Sequence, residues 1–154
     1  MKIIFLDIDG VLNTFQFLLD HRVEDSVDPL SDEFSIARID QACIRRINRL
    51  IDETGASVVV ASTWGCNLST ESLARIFAKC GFTGKIVDKI QVWKNNQRCQ
   101  NIQGWLKRHP EVRSFVVIDD ADMGELAEKA VKPVASVALT DEEVQKAIAI
   151  IFAQ

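Results

Sequence analysis

The sequence predicts a three-layer α/β sandwich, a mainly parallel sheet of five strands with helices on both faces. Three observations lead there. Short apolar runs rich in β-branched residues recur at 3–6, 58–61 and 114–118, as expected of strands buried on both faces. Stretches with apolar residues at helical spacing stand between them. Strands that alternate with helices form parallel sheets, and their carboxyl ends then share one edge.

Residues 3–6 give the first strand, which runs out into Asp7-Ile8-Asp9-Gly10. Residues 14–40 start with Phe15, Phe17, Leu18 and Leu19, then turn acidic (Glu24, Asp25, Asp28, Asp32, Glu33) around Pro29. They predict a short helix or hairpin running into a loop, placed as a flap beside the end of the first strand. Ile44, Ile47, Leu50 and Ile51 mark a helix over about 40–54, with Arg45, Arg46 and Arg49 on its solvated face and Gly55 as a left-handed cap. Residues 58–61 form the second strand and deliver Ser62, Thr63, Trp64 and Gly65, with Trp64 expected to pack on the sheet end. Ser69 or Thr70 caps a helix that buries Leu73, Ile76, Phe77 and Cys80 and ends at Gly81.

Residues 85–87 predict a weak third strand. The polar stretch 91–100 leads into a helix striped by Ile102, Trp105 and Leu106, which stops at His109-Pro110. Residues 114–118 form the fourth strand and end in Asp119-Asp120. Asp122 and Glu125 have the spacing of a capping box for a short helix. Residues 133–138 predict an edge-like fifth strand opened by Pro133. Thr140 and Glu143 form a second capping box, ahead of a last helix lined by Val144, Ala147, Ile148 and Ile151.

With 154 residues, 47% of them apolar and 26% charged, the chain suffices for one soluble domain, 1–154, with a real core. No apolar run reaches membrane-spanning length, and no secretion signal is expected, because the N-terminus enters a strand directly. A net charge of −4 argues against a grip on long nucleic acid, which needs a basic surface. It leaves room for a phosphorylated end held by a few local cations. The cysteines at 43, 66, 80 and 99 form no Cys-x-x-Cys clip and are not grouped with His21 or His109. That argues against zinc and fits a reducing, cytoplasmic setting.

Strand alternation puts Asp7 and Asp9 on one side and Ile8 on the other. Two ionised carboxylates at a buried strand end are costly until a cation or a proton relieves them. Gly10 lets the chain turn with no Cβ in the way. Asp7, Ser62 and Asp119 each stand at the carboxyl end of a strand, where open α/β sheets build their sites. One crevice thus gathers carboxylates at 7, 9, 119 and 120, a hydroxyl at 62, and a cation from Lys94 or Arg98. Phosphoryl transfer needs this set. Mg²⁺ takes carboxylate and phosphate oxygens. A carboxylate attacks phosphorus, a neighbouring carboxyl group moves the protons, and the hydroxyl and cation hold the equatorial oxygens.

The string Asp7-Ile8-Asp9-Gly10-Val11-Leu12-Asn13, the Val-Val-Val-Ala run closed by Ser62, the Ser62-Thr63-Trp64 segment and the late Asp119-Asp120 resemble the motifs of haloacid dehalogenase-like (HAD) phosphatases. They are most similar to the small, minimally capped members that include the HAD domain of bacterial RNA-repair proteins. The resemblance covers nearly the whole chain. It implies a Rossmann-like sandwich with a small flap, 14–40, instead of a cap domain. It also implies a Mg²⁺-dependent phosphatase that works through an aspartyl phosphate. By that resemblance Asp7 is nucleophile and metal ligand, and Asp9 is general acid/base with its backbone carbonyl on the metal. Ser62 binds the transferred phosphoryl group, and Asp119 and Asp120 form the acidic metal motif. The phosphate-binding cation is Lys94 by residue type, or Arg98 by an Arg-x-x-x-Ile-x-x-Trp-Leu pattern of small HAD proteins. The chain departs from its relatives at Gly65, where an Arg often follows the Trp.

Two other readings stand beside this one. The first is a non-catalytic HAD-fold binding or regulatory domain. The second is a receiver-type phospho-acceptor, for which the order of acidic and hydroxyl-bearing strands is wrong. An uncapped crevice admits a nucleotide, a nucleic-acid end, a phosphopeptide or a small phosphomonoester.

Overall fold

Alternate residues of the first strand feed two separate cores. The computed structural model describes residues 1–94 and 97–154. Strands β1 (Lys2–Leu6), β2 (Ser57–Ser62), β3 (Ile86–Gln91), β4 (Ser114–Ile118) and β5 (Ala130–Val131) form one sheet in the order β3-β2-β1-β4-β5. Every pairing is parallel, so the mainly parallel expectation is met in full. Ile4 and Leu6 face one side with Val58, Val60, Val116 and Ile118. There α3 (Gln41–Thr54), α4 (Thr70–Lys79) and α6 (Asp141–Phe152) cover them with Ile47, Phe77 and Ile151 among others. Ile3 and Phe5 face the other side with Val59, Ala61 and Val117, against Ile102 and Trp105 of α5 (Arg98–Arg108). The Trp105 ring meets Phe5 edge-on at 5.4 Å. Each such buried side chain contributes about 1.5–3 kcal/mol, and this two-sided burial fixes the height of β1 in the sandwich.

The helix ends follow their local chemistry. The Asp40 carboxylate accepts the Ala42 N–H, and Gly55 closes α3 at φ +68°. Ser69 caps α4, and the Thr140–Glu143 capping box opens α6. Arg46 and Arg49 sit on the outer face of α3 and reach Asp141 at 3.6 and 3.8 Å.

Three expectations need correction. The third strand is longer than 85–87, because its polar residues find partners elsewhere. Asp88 accepts from Trp105 Nε1 at 2.7 Å, and Lys89 Nζ donates to the carbonyls of Gly65 and Leu68. The fifth strand is not 133–138 but the two residues of β5. Pro133 has no N–H for a ladder, and the N–H groups of Val137 and Ala138 both turn back onto the Val134 carbonyl. Asp122 and Glu125 make no capping box. The 3₁₀ turn that follows starts at Gly124, Asp122 pairs with Lys132 at 2.7 Å, and Glu125 accepts from Gln103.

Residues 14–40 hold two short helices, α1 (Phe15–Asp20) and α2 (Asp32–Ile36). α2 is pinned to α4: the Asp32 carboxylate takes Arg75 Nε at 2.7 Å, Arg75 Nη2 at 3.0 Å and Lys79 Nζ at 3.0 Å. Those hydrogen bonds hold the Asp32 carboxyl well below the usual carboxylate range. α1 buries none of its residues. Among the described residues no helix is long and apolar enough to cross a membrane.

Candidate active site

The register of the sheet assembles the acidic centre. Leu6 lies opposite Ile118 in the parallel β1–β4 pair, so Asp7 and Asp119 leave the sheet side by side. The Asp7 N–H still donates to the Ile118 carbonyl at 3.0 Å, and the Asp119 N–H donates to the Val131 carbonyl at 3.1 Å. Both carboxylates are thereby held on backbone that cannot swing. Oxygens of Asp7, Asp119 and Asp120 lie within 4.8 Å of one another. Arg98, the first residue of α5, points back into this group. Its Nη1 stands 2.9 Å from Asp7 Oδ2 and 2.5 Å from Asp119 Oδ2, and all three side chains are buried. The buried Ser62 hydroxyl, at the end of β2, lies beside Asp7 and favours its charged form.

Burial, and then the Asp119 charge, push the Asp7 carboxyl up to about 7, against Arg98, the Ile8 N–H and Ser62, which pull the other way. Burial also raises Asp119, with Arg98 opposing it. Burial acts to lower Arg98, but the two carboxylates outweigh it and keep the guanidinium charged. One guanidinium thus pairs with two of the three clustered carboxylates, and its charge is not enough to hold Asp7 in the ordinary range. Hard oxygen donors with surplus negative charge at a strand end suit a small divalent cation, and these residues fit Mg²⁺.

Asp9 is built differently. Its carboxylate lies outside the three-residue cluster. Oδ2 accepts the Trp64 indole N–H at 3.1 Å, and Oδ1 accepts Asn13 Nδ2 at 3.0 Å. Arg38 Nη2 stands 3.9 Å from Oδ1. Asn13 is buried and also ties the turn, because its Oδ1 accepts the Gly10 N–H and its Nδ2 donates to the Arg38 carbonyl. Asp7, Asp9, Arg98 and Asp120 line one cavity of about 620 Å³, and Phe15 and Leu18 of α1 line it too.

The structure therefore brings Asp7, Ser62, Arg98, Asp119 and Asp120 together and seats Asp9 at the same cavity. It does not bring in Lys94, which is exposed and is not among the cavity's lining residues. Trp64 packs on the core as its position suggests, and in addition it holds Asp9. Asn13 and Trp64 had a signal in the sequence, as the last residue of the first motif and the second after Ser62. Arg38, just after α2, had none. Gly65 has a packing reason: a Cβ there would stand 3.2 Å from the Ile90 carbonyl, so a long side chain meets β3.

Gly10 is equally constrained. Its φ is +81°, and a Cβ would stand 2.5 Å from Asp120 Oδ2. Gly10→Ala is expected to cost about 1–3 kcal/mol and to push Asp120 out of the cluster. Urea unfolding and Mg²⁺ titration of the variant check this, and unchanged metal affinity counts against the placement of Asp120.

The family model for the HAD domain in Swiss Army Knife RNA repair proteins matches residues 3–144. The chain belongs to this family. No curated protein and no solved structure matches it. The matched part of this HAD domain runs from β1 into α6 and contains every site residue described above. The five-stranded parallel sheet with helices on both faces is the Rossmann-like HAD fold. At the level of the superfamily the HAD domain is a phosphohydrolase-like enzyme.

Proposed function

We propose that this HAD domain is a Mg²⁺-dependent phosphomonoester hydrolase, with 1–154 acting as a single cytoplasmic domain and 14–40 as its flap. The observation that carries the reading is the buried Asp7 carboxylate, set among Asp119, Asp120 and Arg98 at the cavity that Asp9 also lines. Asp7, Asp119, Asp120 and the Asp9 backbone carbonyl are the proposed ligands. The bound ion masks negative charge so that an anionic oxygen can approach a phosphate.

The residues then divide the work. An Asp7 oxygen forms a bond to phosphorus as the bond to the leaving oxygen breaks, and Asp9 gives its proton to that oxygen. Water next attacks the phosphoryl group, gives a proton to Asp9 and breaks the bond to Asp7. Inorganic phosphate leaves, and both carboxyl groups are restored. Ser62 and Arg98 hold the phosphoryl oxygens while charge redistributes over them.

The proposed substrate is a phosphorylated nucleic-acid end. The family's description as a part of RNA repair proteins supports it. So does Phe15, 76% exposed at the cavity, which offers an aromatic face to a base. The net charge of −4 restricts the grip to the end itself. The test is phosphate release from a panel of 5′- and 3′-phosphorylated oligonucleotides, nucleotides, phosphopeptides and sugar phosphates. Release is expected with Mg²⁺ and is expected to stop with a chelator. A folded protein that binds Mg²⁺ and hydrolyses no member of the panel refutes the reading.

A further inference from the structure

We propose that Trp64, together with Asn13, is a positioning residue that aims Asp9 at the leaving oxygen and at the attacking water. The inference rests on the hydrolase reading above. Asp9 stands on a turn, and its side chain is 46% exposed, so nothing in its own packing fixes which way the carboxylate faces. Two N–H groups do so, one on each oxygen, at 3.1 Å from Trp64 and 3.0 Å from Asn13. They come from two different segments, one from the turn after β2 and one from the loop after β1.

Trp64 is itself held in place. Its backbone N–H donates to Ser62 Oγ at 3.4 Å, its ring packs on the core, and the Arg38 guanidinium lies 5.9 Å from the ring centroid. Arg38 is steadied in turn by the Phe34 ring at 5.3 Å, and its carbonyl accepts Asn13. The Ser62 hydroxyl that caps this turn also touches Asp7. The acid/base carboxylate and the nucleophile are thus referenced to one residue, two positions ahead of the indole. An indole N–H only donates, as does the amide NH₂ of Asn13. Neither can take the proton that Asp9 carries. The proton therefore passes between Asp9 and the reacting oxygens alone, from a lone pair that neither donor occupies. A carboxylate held this way is pre-aimed for both half-reactions.

Trp64→Phe removes the donor and keeps an aromatic ring. The two half-reactions separate its consequences, because 2,4-dinitrophenolate leaves without a proton and an alkoxide does not. With 2,4-dinitrophenyl phosphate and Mg²⁺, the initial burst of dinitrophenolate in Trp64→Phe is expected to stay within about threefold of wild type. Steady turnover is expected to fall about 10–100-fold, a part of the usual worth of acid–base catalysis. With an alkyl phosphate kcat is expected to fall by a similar factor, with no burst and little change in KM. Burst and turnover falling together by one factor, or neither changing, overturns the inference. Should Trp64→Phe not fold, Asn13→Ala removes the donor on the other oxygen, and the same split decides. A wild-type protein that releases neither dinitrophenolate nor phosphate refutes the hydrolase reading and this inference with it. Wild-type turnover combined with equal losses in both phases refutes this inference alone.

Discussion

Asp7→Asn is expected to lose turnover by about 10⁴-fold or more, the scale on which removal of a nucleophile acts, and to become more stable than wild type above neutral pH. An amide does not attack phosphorus, and no other carboxylate in the site can replace it. Asp119 faces the same guanidinium but accepts the Ala121 N–H with its other oxygen, at 2.8 Å. The stability change follows from burial. The folded chain keeps the Asp7 proton up to about pH 7, while the unfolded chain releases it near 3.8. Between those values the folded state binds more protons, so its stability falls as pH rises. The contribution is complete below about pH 4 and gone above about 7, a span worth at most about 4 kcal/mol and shared with Asp119. Asn has no proton to lose, so its stability curve is flatter over this window. Mg²⁺ is expected to act in the opposite sense on wild type, stabilising it more at pH 8 than at pH 5, because metal and proton compete for the same oxygens. Urea unfolding at both pH values, in chelator and in Mg²⁺, measures all of this. Turnover retained by Asp7→Asn, or a wild-type stability that does not fall between pH 4 and 7 without metal, contradicts the assignment.

The legible parts of this fold are those set by local pattern. Ile3, Ile4, Phe5 and Leu6 announce a strand buried on both sides, and the sheet uses alternate members for separate cores. That Asp7, Ser62 and Asp119 would come together was legible because parallel strands must end at a common edge. What stayed hidden was set by partners far away in sequence. β3 carries Asp88 and Lys89 in its middle, and their acceptability depends on Trp105 and on a carbonyl two elements earlier. The apolar residues of 133–138 read as a strand, but the backbone there turns on itself. The sequence favours Lys94 by residue type, with Arg98 close behind on the pattern around it. Only the packing of α5, through Ile102 and Trp105, decides that the residue at its start is the one aimed at Asp7. The surroundings of Asp9 had half a signal, because Arg38 comes from a stretch, 14–40, with no periodicity of its own.

Arg98→Met isolates the charge that offsets the acidic centre. Methionine fills much of the volume of the arginine stem and stays compatible with the first turn of α5, so the loss reports the guanidinium and not a cavity. Without it, Asp7 and Asp119 face each other, buried, with their shared cation gone. Removing one partner from a buried ion pair costs about 3–5 kcal/mol, and that loss is expected in chelator at pH 8. At pH 5 the carboxyl groups protonate instead of repelling, so the deficit relative to wild type shrinks. The pH dependence is therefore steeper than in wild type, the opposite of the change in Asp7→Asn. Mg²⁺ is expected to restore part of the stability but not the rate, which falls about 10²–10³-fold because the phosphoryl oxygens also lose their donor. Arg98→Lys keeps the charge with fewer, less directed donors and is expected to lie between the two. Lys94→Met, at an exposed position away from the cavity lining, is expected to change neither stability nor rate. If Lys94→Met loses phosphate turnover while Arg98→Met stays within about 1 kcal/mol of wild type at pH 8, the two lysine and arginine roles are reversed, because a buried carboxylate pair cannot lose its cation at so small a cost.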